Sequence, residues 1–259
     1  MDGVVRGPDE LHFCAMASHV EHYEALLAPV YSWMIGGLPA ATARAADQLQ
    51  GWRVPMGPEV RVIDLGAGPG THVLPLLENG CTVQAVDTSA PLLAELREHA
   101  PTTGNLETIT GDLVEHIGQV RDTVDVVLCL GDTLTHLASV DQVEQLLKGV
   151  ARVLRTGGVL LTSFRDLTGD PAGADRRFLL VRGDEQRILT CYLEHYPDHV
   201  RVHDIVHELG TAGWSMRVGA YDKLRLSPAR VEQLMGCLGL SVERIDAGPG
   251  LVGLRATKR

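Results

Sequence analysis

From Asp64 to Gly70 the chain reads Asp-Leu-Gly-Ala-Gly-Pro-Gly, a carboxylate followed by glycine at every second position. Glycine there lets backbone come close to a ligand and admits conformations closed to other residues. The spacing sorts the candidate ligands. A triphosphate-binding loop needs Gly-Lys-Ser/Thr, and none follows. The dinucleotide fingerprint G-x-G-x-x-G would put its third glycine at position 71, which is Thr71. A second acid, Asp87, follows Gly66 by about 20 residues, where a carboxylate accepts both hydroxyls of a ribose. Dinucleotide enzymes share that feature, so it does not discriminate. A third acid, Asp112, stands in "GDL" just before Leu113, and "LCLGDTLTHL" holds Leu130, Asp132 and His136 together. Arg165 ends "TSFR".

These groups need elements to hold them. "RVIDL", "CTVQAVD", "NLETIT", "TVDVVLCL" and "VLLTSF" read as five strands, the fourth apolar after Asp125 as a strand buried on both faces should be. Helical spacing separates them in "THVLPLLENG", in "APLLAELREHA" behind Thr88 or Ser89 as cap, and in "VDQVEQLLKGVARVLRTGG" with glycine as its stop. Alternation of this kind predicts a doubly wound α/β fold with a mostly parallel sheet. After Arg165 the rhythm changes. "RRFLLVRGDEQRILTCYLEHY", "HVRVHDIVHEL" and "WSMRVGAYDKLRL" predict an antiparallel β insertion after strand five. Ser227 and Pro228 then open a helix, and two closing strands bring the sheet to seven. An alanine-rich stretch over Ala40–Ala46 predicts a further helix near the N-terminus.

The bulk numbers bound the function. The 259 residues are 45% hydrophobic and carry a formal net charge of −10, with Lys and Arg scattered rather than clustered. That argues against a nucleic-acid partner. Five cysteines, widely spaced and without a C-x-x-C pair, argue against a disulfide framework or a zinc site and for a reducing, cytoplasmic setting. The histidines of the insertion (His195, His199, His203, His207) form no set with convincing metal-ligand spacing, and no metal is expected. "MDGVVRGPDE" lacks the basic and apolar regions of a leader, and no apolar run suits a membrane span.

The Asp-x-Gly-x-Gly-x-Gly spacing resembles motif I of the class I S-adenosylmethionine-dependent methyltransferases. The resemblance implies a Rossmann-like seven-stranded sheet and S-adenosylmethionine as cofactor, touching Asp64, Gly66, Ala67, Gly68 and Gly70. It further implies Asp87 and Thr88 on the ribose, and Asp112 and Leu113 near the adenine. Base N-methyltransferases carry an Asn/Asp-Pro-Pro-aromatic segment after strand four, which this chain lacks. "CLGDTLTHL" is instead similar to the Cys-Leu-Gly-Asn-Ser-Phe-x-His-Leu segment of the glycine N-methyltransferase family, with Leu130 on the cofactor side. "GGVLLTSFRD" puts Arg165 on that family's arginine for a substrate carboxylate. "ATARAA" puts Arg44 on the partner of the cofactor carboxylate. "HYEALLAPVYSWMIGG" resembles the N-terminal lid, with Tyr23 facing substrate and Tyr31 over the cofactor, and Tyr221 falls on another family tyrosine.

The implied organisation is one domain: a helical lid over 1–56, a cofactor core over 57–165, the insertion over 166–226 and a closing helix and strands over 227–259. Three departures point to a different substrate. Asp132 replaces Asn, Met34 replaces a lid tyrosine, and Ser163-Phe164 replaces Asp-His before the arginine. The expected activity is methylation of a small molecule, at an amine nitrogen of a metabolite with an anionic group. Asp132 would orient the acceptor or take its proton, with His136 behind it; Arg165 would bind the anion, and Tyr23 and Tyr221 would shape the pocket. Methylation of oxygen, sulfur or carbon, a non-catalytic S-adenosylmethionine sensor and a nicotinamide oxidoreductase are the alternatives. Homo-oligomer formation is left open.

Overall fold

The computed structural model describes residues 19–102, 105–169, 173 and 177–259. Cys14 and the start of the expected lid lie outside the described residues. The strands are β1 (Arg61–Leu65), β2 (Thr82–Asp87), β3 (Leu106–Thr110), β4 (Val124–Cys129), β5 (Leu154–Phe164), β6 (Phe178–Gly183), β7 (Arg187–His195), β8 (His199–Gly210), β9 (Gly213–Leu224), β10 (Leu240–Asp246) and β11 (Val252–Lys258). Seven of them form one sheet in the order β10-β11-β5-β4-β1-β2-β3. Strands β1 to β5 are parallel, while β11 runs antiparallel between β5 and β10. The direction of winding reverses between β1 and β4, and in such sheets ligands sit at that switch point, beyond the carboxyl ends of the strands.

Helices cover both faces. One core lies between the sheet and α6 (Leu113–Gln119), α7 (Val140–Val153) and α8 (Pro228–Cys237). The other lies beneath α3 (Leu38–Gly51), α4 (Val73–Glu78) and α5 (Ala90–His99). In α7 the apolar positions Val143, Leu146, Leu147, Val150 and Val153 recur at helical spacing and are buried. Ser139 begins the helix, its Oγ accepting from the Gln142 N–H at 3.2 Å. None of the described helices is long and apolar enough to cross a membrane.

Two local expectations change. The glycines after α7 do not stop it. The helix ends at Val153 and passes directly into β5, with Gly157 and Gly158 inside the strand. A Cβ on Gly158 would lie 2.9 Å from the Arg155 carbonyl and 3.1 Å from that of Asp125, so glycine marks a close approach of backbones beside a register shift. At the start of α5, Ser89 occupies the cap position but its side chain makes no cap bond; its N–H is instead taken by Asp87 Oδ1 at 2.8 Å.

The insertion is a separate antiparallel sheet, ordered β6-β7-β8-β9. Its inner face buries Leu189, Cys191, Val200, Val202, Val206 and Tyr221. Leu26, Leu27 and Val30 pack against Leu189 and Val206 of that face. They come from a chain segment that begins with α1 (His19–His22), continues as a π-helical turn over Tyr23–Leu27 and leads to α2 (Tyr31–Met34). A hydrogen bond from the buried His22–Asp204 pair, 2.9 Å long, fastens the segment to β8. Gly219 of β9 makes room for the His22 ring, since a Cβ there would lie 2.5 Å from Nδ1.

Candidate functional site

Gly66, Gly68 and Gly70 all hold positive φ, at +89°, +54° and +88°. Their surroundings differ. A Cβ on Gly66 would meet Thr133, and one on Gly70 would overlap Leu96, so those glycines close the turn against protein. At Gly68 the nearest atom would be Tyr31 Cε1 at 3.9 Å, and the space in front of it stays open. The turn's own N–H groups are committed internally. Gly66 and Ala67 donate to the Val86 carbonyl at 2.8 and 3.1 Å, Gly70 to Ala67, and Gly68 to Asp87 Oδ2 at 2.7 Å. The cradle thus offers a ligand close approach rather than spare donors.

The groove beyond this turn encloses about 930 Å³ including its open mouth. Of the residues singled out in the sequence, Tyr23, Tyr31, Gly66, Gly68, Asp87, Thr88, Asp112, Leu113, Leu130 and His136 line it. Asp112 also caps α6, its Oδ1 accepting from the Glu115 N–H at 2.8 Å. Burial, with the charges of Asp87 and Asp132, pushes the Tyr31 hydroxyl up to about 12, so it stays a protonated donor. Asp64, Ala67 and Gly70 are buried behind the turn and do not line the groove. Arg44 is exposed on α3, donates to the Ile35 carbonyl at 2.8 Å and does not line the groove.

Asp64 carries a testable consequence. Burial, reinforced by the Asp87 charge, raises its carboxyl to about 7. Its folded value lies above its unfolded one, so its contribution to stability is complete below about pH 4 and is lost as pH rises to about 7. Asp64→Asn removes this dependence. Measured by urea unfolding, the variant should gain on the native protein by roughly 4 kcal/mol between pH 4 and pH 8, with the gain flattening above pH 7. A difference independent of pH would refute the buried neutral carboxyl.

At the other end of the groove, four rings meet. Tyr23 stands edge-on to His136 with centroids 5.5 Å apart, His136 stacks on Tyr221 at 5.3 Å, and Tyr23 lies 6.2 Å from Tyr31. Burial lifts both Tyr23 and Tyr221 well above the ordinary phenol range, helped by neighbouring Asp204 and Asp132, so these hydroxyls remain neutral. Tyr221 stands behind His136 rather than lining the groove.

Asp132 also sits behind this wall. It is 5% exposed and holds a left-handed φ of +83°, a conformation that aspartate tolerates better than most residues. Oδ1 accepts from the Arg165 N–H at 2.9 Å and the Thr135 hydroxyl at 3.0 Å. Oδ2 pairs with Lys223 Nζ at 2.5 Å and Arg165 Nε at 3.4 Å. Burial alone would raise this carboxyl, but the Lys223 charge and hydrogen bond, with the Arg165 N–H, hold it below the usual range. Both oxygens are therefore occupied, and the order expected for the pair is reversed: His136 lines the groove and Asp132 backs it. Ser163, at a position where the resemblance leads one to expect Asp, uses its Oγ to accept from the Gly131 N–H at 2.9 Å. The Arg165 side chain is half exposed outside the lining.

Lys223 is the member that reading the sequence missed. The signal was present, because positions 221 and 223 of one strand project to the same face, and both are buried. Thr133, Leu137 and Gln142 also line the groove from the turn after β4 and the start of α7. Thr133 and Leu137 fall inside the "CLGDTLTHL" segment, though the resemblance gives them no role, and no motif marks Gln142.

Residues 62–158 match a family model described as a methyltransferase domain. That stretch, which includes the glycine turn, is thus similar to a methyltransferase domain. Among relatives of the chain, the glycine/sarcosine N-methyltransferase of Aphanothece halophytica is 32% identical over 137 residues, 52% of each chain. The cypemycin N-terminal methyltransferase of Streptomyces sp is 33% identical over 134 residues, 50% of this chain and 52% of that one. The chain thus spans about half the length of the curated relatives it matches. The CcbJ methyltransferase of Streptomyces caelestis shares the fold with a TM-score of 0.73 at 21% identity, over 91% of this chain and 97% of that one.

Proposed function

We propose that the protein transfers a methyl group from S-adenosylmethionine to a small molecule, at an amine nitrogen of a metabolite that also carries an anionic group. One observation carries the reading: a single groove joins the Gly68–Asp87 cradle to the Tyr23–His136 wall. The open space before Gly68 suits a bulky nucleoside, and the residues around it suit its parts. Asp87 and Thr88 would hold ribose hydroxyls, Asp112 and Leu113 the base, and Tyr31 and Leu130 its flanks. The cofactor supplies an electrophilic methyl on a sulfonium, so no covalent nucleophile is required of the protein.

The chain's own task is alignment and exclusion of water, which can supply much of the barrier reduction. Tyr23, His136 and, behind them, Tyr221 form the wall against which an acceptor is oriented. An amine attacks only when neutral, and His136 is the groove-lining ring able to receive or steer its proton. Asp132 acts as a fixed anion that sets Lys223 and the Arg165 backbone in place. Two cations, Lys223 and Arg165, surround that single carboxylate, a balance that favours an anionic group on the acceptor. The name of one relative, a glycine/sarcosine N-methyltransferase, supports nitrogen as the acceptor atom.

Cofactor labelled in its methyl group, incubated with the protein and a cell lysate, tests the proposal. Label should enter the small-molecule fraction only when protein is present, and mass spectrometry should place it on nitrogen. Label in protein or RNA would overturn the proposal, and so would tight cofactor binding without transfer to any fraction.

A further inference from the structure

The insertion sheet has an outer face that the rest of the fold leaves bare. Among the described residues nine large hydrophobic side chains are exposed, and eight of them belong to β6, β8 and β9, so the exposure is a property of this sheet. The register shows that most of the eight share one side. Trp214 is opposite Leu209, Val218 opposite Ile205, Ile205 opposite Thr190 and Thr190 opposite Leu180. The Phe178 ring lies tilted against Tyr192, centroids 4.7 Å apart, on the same side. An antiparallel sheet with one wet face should alternate apolar-in with polar-out. Here the inner face buries Leu189, Cys191, Val202 and Val206, yet Phe178, Leu180 and Trp214 on the outer face are 61%, 70% and 52% exposed. A strand pattern apolar on both sides is that of a sheet covered on both sides.

We propose that a second copy of this chain covers the face, the two insertion sheets packing outer face to outer face about a two-fold axis. Area and charge point to this occupant. The exposed fractions of Phe178, Leu180, Leu209, Trp214, Met216 and Val218 amount to roughly 600 Å² per copy, near the ~800 Å² per partner of a standard interface. The charges on the same face lie toward its other end and are satisfied within one sheet. Arg201 Nε donates to Asp222 at 2.8 Å, and the His203 ring lies 2.7 Å from Glu194. An apolar centre with a self-neutralised polar margin is the anatomy of a protein interface, and it carries no net charge to repel an identical surface.

Sedimentation of the native chain from about 5 to 100 µM tests this, and a dimer is expected. Trp214→Asp combined with Met216→Glu should raise the dimer dissociation constant at least about 100-fold while calorimetry shows S-adenosylmethionine binding unchanged. Leu180→Lys, on a different strand of the same face, should do the same and decides the matter if the double variant does not fold. A native chain monomeric at 100 µM overturns the proposal. A dimer that survives both substitutions overturns it too, and a monomer that co-sediments with phospholipid vesicles reassigns the face to a membrane.

Discussion

Asp87→Asn weakens S-adenosylmethionine binding about 100-fold, as titration calorimetry should record. The native carboxylate accepts from the Gly68 N–H through Oδ2 and from the Ser89 N–H through Oδ1. It therefore ties the glycine turn to the start of α5 while lining the groove. Asparagine keeps one acceptor and turns an NH₂ group toward the other donor. Losing one charge-assisted hydrogen bond and opposing two donors costs about 3 kcal/mol, which corresponds to about two decades in affinity. Most of that loss is expected in cofactor affinity rather than in folding, because Asp87 is at the edge of the groove and water can reach the displaced donors. A variant whose affinity stays within threefold of the native value would mean that Asp87 shapes the turn and does nothing for the ligand.

Asp132→Asn shows its largest effect on stability. Asparagine keeps the left-handed backbone accessible and can still accept from the Arg165 N–H and Thr135, so the substitution isolates the charge. Lys223, 9% exposed, is then left beside a neutral amide. Removing one partner of a buried ion pair costs about 3–5 kcal/mol, whereas replacing both by apolar groups is often neutral. Urea unfolding should show the single variant destabilised by that amount. Adding Lys223→Met should restore most of the loss. If the two changes simply add, the pair is not coupled and Lys223 has another partner.

Much of the fold was legible because its signals are local. The run Val126–Leu130 is apolar on both faces, as a central parallel strand must be, and it lies in the middle of the sheet. Glycine spacing located the cradle because positive φ at alternate positions leaves few other residues available. What the sequence concealed depends on contacts between distant residues. Arg44 matched a motif, yet its guanidinium donates to the Ile35 carbonyl nine residues away. Asp132 matched a position whose role its neighbours change, because Lys223, 91 residues further along the chain, occupies it. The Gly157–Gly158 pair imitates a helix stop, since glycine serves equally at a cap and at a crowded strand.

His22 and Asp204, which fasten the N-terminal segment to β8, are 182 positions apart. During synthesis the segment bearing Leu26, Leu27 and Val30 therefore emerges early and cannot be covered until β8 and β9 have followed. At roughly 5–20 residues per second, that interval lasts on the order of 10–40 seconds. The cradle strands β1, β2 and β4 are complete well before then. A nascent chain would accordingly own the cofactor half of its groove while the wall carrying Tyr23 and Tyr221 is still unbuilt. Those apolar residues are left for that interval to chaperones or to nonspecific contacts.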